Sequence, residues 1–81
     1  MKIPLTDLIV QGNVPPNGSV LEFVDVVPVE WAGCETGTPE MIGKTYIADK
    51  IEVHSWHTKV RLREFPDRVF NSVSFVFDDG K

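Results

Sequence analysis

The sequence predicts an all-β fold, a small barrel of about five strands, and three observations carry that expectation. Six glycines and six prolines punctuate 81 residues at short intervals, and the runs between them are rich in β-branched and aromatic side chains. Residues 59–65 read as an alternating strand, with Val60 and Leu62 at one parity and Lys59, Arg61 and Arg63 at the other. That is the period of a strand with one buried face. A chain of this length also has room for one hydrophobic core only.

Taken in order, residues 1–18 read as an amino-terminal arm and a Pro/Gly linker, and residues 19–81 as the barrel domain. Within the arm, residues 3–10 are apolar enough for either an added strand or a single helical turn begun at Thr6. Gly12, Pro15, Pro16 and Gly18 leave little regular structure between 11 and 19. Residues 20–27 form a strand with apolar side chains on both faces, Leu21 and Phe23 on one and Val20, Val24 and Val26 on the other, which Pro28 ends for want of an amide hydrogen. A connection over 29–43 follows, far longer than the usual 4–6 residues, and long loops in small domains commonly carry function. The next strand, 44–54, changes parity in the middle. Tyr46 and Ala48 share one, Ile51 and Val53 the other, so a bulge is expected near Asp49-Lys50. After a tight connection at 54–58 and the strand 59–65, Phe65-Pro66-Asp67-Arg68 reads as a turn. The last strand, 72–77, places Val73, Phe75 and Phe77 on one face and Ser72 and Ser74 on the other.

A content of 42% hydrophobic and 25% charged residues is that of an ordinary soluble domain and excludes collagen-like, disordered and membrane classes. Cys34 is the only cysteine, so no internal disulfide forms. With no signal-peptide pattern and no apolar run approaching the roughly 20 residues of a membrane span, the expected location is the cytoplasm of a bacterial host, without membrane contact. The net charge of −4 divides unevenly, with −5 over residues 1–43 and +1 over 44–81. An acidic balance argues against a surface wholly devoted to phosphate.

The element order, one strand, a long loop, two strands joined tightly, a short turn and a closing strand, resembles that of an SH3-like β-barrel, and 70–73 sits where such barrels place a 3₁₀ turn. More narrowly, Gly43-Lys44-Thr45-Tyr46, then 54–62 with its His57-Thr58-Lys59-Val60, then Phe65-Pro66 and Phe70-Asn71-Ser72-Val73 resemble the motif series of a group of small uncharacterised phage and bacterial proteins. The likeness spans about 20–77. It implies the fold and a mobile-element origin, and it transfers no catalytic residue.

Two histidines, His54 and His57, with a distant Cys34 fall short of the three or four converging ligands that a metal requires. The expectation is therefore no metal and no cofactor. No nucleophile elbow, phosphate-cradling loop or carboxylate pair is present, and a barrel this small has a filled interior, so no catalytic site is expected either. What remains is surface. Trp31, Glu30, Glu35 and Glu40 in the long loop, with Trp56 at the strand connection, form the expected partner-binding set. The alternative is a stripe of His57, Lys59, Arg61 and Arg63 that binds nucleic acid or a nucleotide with aromatic stacking. Against it stands a solvated strand face whose cations pair with Glu22 or Glu52. The leading expectation is a non-catalytic protein-interaction module that docks on a host or bacterial protein and inhibits a defence component, as a monomer or a homodimer.

Overall fold

The computed structural model describes residues 1–27, 34–54, 57–78 and 80. Among the described residues it is an antiparallel sheet of six strands with one short helix: β1 (Lys2–Pro4), α1 (Leu5–Val10), β2 (Val20–Phe23), β3 (Thr45–Val53), β4 (Thr58–Leu62), β5 (Phe65–Asn71) and β6 (Phe75–Asp78), with 3₁₀ turns at Pro39–Met41 and Ser72–Ser74. The arm is thus both strand and helix. Its strand pairs with β6, Ile3 opposite Phe77, and Leu5 is wholly buried in the common core.

The strands lie in the order β1-β6-β2-β3-β4-β5. β1 and β5 end the sheet, which corrects the expectation of a closed cylinder of about five strands: backbone pairing leaves the sheet open. At the outer edge of β5 the long loop supplies a parallel bridge, Glu35 to Phe70, in which the Glu35 N–H donates to the Val69 carbonyl at 2.6 Å.

β3 reaches across both halves of the sheet because of its bulge. Tyr46, opposite Leu21 on β2, and Ala48, opposite Leu62 on β4, are both buried; the register then shifts between Ala48 and Lys50, as the parity change requires, and Ile51 lies opposite Val60 on β4. The alternation of β4 is as read, with Thr58, Val60 and Leu62 buried. At the centre Phe23, Phe70 and Phe75 meet edge to face, with centroids 6.5, 5.5 and 6.2 Å apart and ring planes at 79–89°. This geometry sets the positive ring edge against the negative face and adds about 0.5–1.5 kcal/mol per pair beyond burial.

Three expectations are corrected. The strand read over 20–27 stops at Phe23: the Val24 N–H still donates to the carbonyl of Ser74, the next partner in register, but Ser74 belongs to the 3₁₀ turn, and Val20 is 53% exposed instead of covered. The segment 65–68 belongs to β5. Leu62 faces Phe65 while Val60 faces Phe70, so β5 advances five residues while β4 advances two. The surplus bulges outward, exposing Pro66, Asp67 and Arg68, and Pro66 is tolerated on an edge strand. Finally, the Ser72–Ser74 turn inverts the faces expected for 72–74, with Ser72 and Ser74 buried and Val73 half exposed, while Phe75 and Phe77 face the core as read.

Candidate interaction surface

The bulge of β5 and the returning end of the long loop form one surface. Phe65 is half-buried at the start of the bulge, packed on buried Tyr46 with ring centroids 5.5 Å apart. Arg68 folds back so that its guanidinium lies 5.5 Å from the Phe65 ring centroid, and its Nε sits 3.6 Å from Glu35 Oε1. A cation over an aromatic face at an exposed site contributes about 0.5–1 kcal/mol, and a solvent-exposed ion pair about 0–1 kcal/mol. The function of both contacts is geometric: they hold the loop end, the ring and the charge in register. Cys34, next in the loop, is buried, and burial pushes its thiol above the ordinary range.

Farther along, Gly37 fits its backbone against the Phe23 ring at φ +77°, and Pro39–Met41 closes the loop with Met41 buried. Glu40 points to solvent; its own backbone N–H first, and then the Thr38 side chain, holds its carboxyl below the usual range. Glu35 and Glu40 therefore lie on the same loop, half-buried and exposed respectively. The remaining residues of the expected partner-binding set, Glu30, Trp31 and Trp56, lie outside the described residues.

The basic stripe is less continuous in space than in sequence. Lys59 and Arg61 project from β4, but Arg63 falls in the tight turn between β4 and β5, beside Gly18, and His57 precedes the strand. Arg61 donates through Nε to Glu52 Oε2 at 2.7 Å, and this hydrogen bond first of all holds the Glu52 carboxyl below its usual value. Glu22 answers Lys2 at 2.6 Å instead of any stripe cation. One residue that the sequence did not signal is Glu64, whose carboxylate accepts the Ile47 N–H at 3.0 and 3.2 Å and so ties the turn to β3. Nothing in its exposed, turn-like context distinguishes it from a solubilising charge.

What the sheet and its bulged edge define is a small antiparallel β domain with a packed aromatic centre and a loop docked along one edge. Within that class, a family model described as Bacteriophage T4 protein Y07B matches residues 39–80, just over half of the 81, and the chain belongs to that family. The expected phage kinship is met at that level. Comparison with curated proteins and with solved structures returns no match. The matched stretch runs from the 3₁₀ turn of the long loop through β6, so it includes Glu40, the stripe and Arg68 but not Glu35. All four motifs of the sequence series lie inside it, and several of their residues hold the fold. Gly43 turns the chain at φ +87° and donates to the Phe23 carbonyl; Tyr46, Val60 and Phe70 are core; Asn71 Oδ1 caps the second 3₁₀ turn by accepting from the Val73 N–H at 3.1 Å.

Proposed function

We propose that this chain is a non-catalytic protein-interaction module of SH3-like architecture, encoded by a phage, that binds a host or bacterial protein in the cytoplasm and blocks it. The order β6-β2-β3-β4-β5, with a bulged β3 and a 3₁₀ turn before β6, supports the architectural part. The observation that carries the functional part is the Glu35–Arg68–Phe65 row, an amphipathic strip on an edge strand next to a long acidic loop. A half-buried aromatic and an exposed arginine held in fixed positions are anchors of the kind that protein interfaces favour. Nothing in the family match specifies a partner, so the partner is described by chemistry alone: a surface with an apolar recess for Phe65 and charges of both signs to meet Arg68 and Glu35.

The test is affinity capture from bacterial lysate with the wild-type chain, identification of the retained protein, and measurement of its binding to Phe65→Ala, Arg68→Glu and Trp31→Ala chains. Loss of at least tenfold in affinity for Phe65→Ala or Arg68→Glu, with Arg61→Glu unchanged, is expected. The nucleic-acid alternative is favoured instead if a polynucleotide binds with a steep salt dependence that Arg61→Glu abolishes. The ion pair of Arg61 with Glu52 counts against that alternative, because the guanidinium is already engaged.

A further inference from the structure

We propose that the imidazoles of His54 and His57 form a proton-sensitive latch, tying the end of β3 to the start of β4 while at least one ring is neutral and releasing it when both are protonated. The two residues flank the last cross-strand pair, Val53 with Thr58, and the His54 N–H donates to the His57 carbonyl at 2.9 Å. Their rings lie face to face, 4.8 Å between centroids and only 15° from parallel. A neutral pair stacks through dispersion and burial of the ring faces. Two imidazolium rings at that separation confront like charges directly.

The surroundings relieve that repulsion only in part. β3 brings Lys50 and Glu52 and β4 brings Lys59 and Arg61, while β5 sets the uncharged Asn71 opposite Lys59. Among these charged residues Glu52 alone is acidic; it attracts a charged His54, but Arg61 already engages it. Lys59 faces His57 as well as the thiol of Cys34. Burial first, then His54 and Lys59, hold the His57 imidazole below its usual range. An imidazole depressed in the folded state binds fewer protons than in the unfolded chain, so its contribution is fully present above about pH 6.5 and is lost as pH falls toward the folded value. Histidine is the side chain whose titration lies nearest physiological pH, which makes this strand end responsive to mild acid.

The experiment is an NMR titration of the full chain from about pH 8 to 4.5, following both imidazole Cε1–H signals and the Val53 and Thr58 amides. His57 is expected to titrate below its ordinary range, with the two amides moving in the same step; His54→Gln shifts the His57 midpoint upward and removes the amide step. The reciprocal His57→Gln chain, expected to lose the same amide step, gives a second reading if the first variant loses its dispersed spectrum. The proposal is overturned if His57 keeps its midpoint when His54 is replaced, or if the Val53 and Thr58 amides do not respond to the titration.

Discussion

Replacing Gly37 with alanine tests how firmly the long loop is set on the core. Gly37 has φ +77°, where an L side chain costs about 1–2 kcal/mol. Its Cβ would also lie 2.8 Å from Phe23 Cε2 and closer still to Cζ. A ring end can often swing aside, but Phe23 is fully buried and wedged edge-on between Phe70 and Phe75. The strain therefore enters the core, where overpacking costs about 1–3 kcal/mol. The expected total is about 2–5 kcal/mol, against a stability of about 4–12 kcal/mol for a domain of this length. Gly43 is the control: its φ is +87°, and a Cβ there meets nothing within 4 Å, so Gly43→Ala carries the backbone cost alone. Urea denaturation followed by circular dichroism gives both values. Gly37→Ala should unfold at markedly lower denaturant than Gly43→Ala with an unchanged slope. Equal losses for the two chains would refute the packing of this loop on Phe23.

Arg61→Ala should let the Glu52 carboxyl rise toward its ordinary value, measured by carboxyl-carbon NMR titration. Because the folded value is depressed, the stability that Glu52 provides is present above its unfolded value of about 4.5 and is lost as pH falls through the folded one; acid unfolding of the variant should lack that component. Cys34, 1% exposed and with its thiol pushed up by burial, should react with an aromatic disulfide reagent far more slowly in the native chain than in urea, and immediate stoichiometric labelling would contradict its placement. Glu64→Ala should cost about 1–2 kcal/mol, the net contribution of a charge-assisted hydrogen bond near the surface, while Glu64→Gln should retain part of it by accepting the same Ile47 N–H.

The legible parts of the fold were those where burial dictates a period. Val60 and Leu62 face inward because β4 has one covered face, and the parity change between Ala48 and Ile51 announces the bulge because the side-chain period of a strand is strictly two. The misread parts are those where the backbone leaves the ladder. Pro66 and Asp67 carry turn chemistry, and locally they do turn outward, but pairing resumes at Phe70 through a contact with β4 that no local pattern encodes. β2 ends where its next partner in register, Ser74, lies in a 3₁₀ turn 50 residues away in sequence. For the surface, Glu35 was legible as an acidic loop residue. Arg68 and Phe65 were hidden because their role depends on where the bulge lands, and the stripe was overdrawn because alternation alone does not show that Arg63 has already entered the turn.

The pairing of β6 with both β1 and β2, Phe77 opposite Ile3 on one side and Leu21 on the other, has a consequence for the order of events during synthesis. Two strands from the first third of the chain have no β6 to join until residues 75–78 leave the ribosome. Until then Leu5, Leu21 and Phe23 lack the cover that their burial requires, and exposed apolar segments of this kind invite aggregation and chaperone capture. The hairpins β3–β4 and β4–β5 can close earlier from local contacts, so the nascent chain passes through a stage with one half of its sheet assembled and the other waiting.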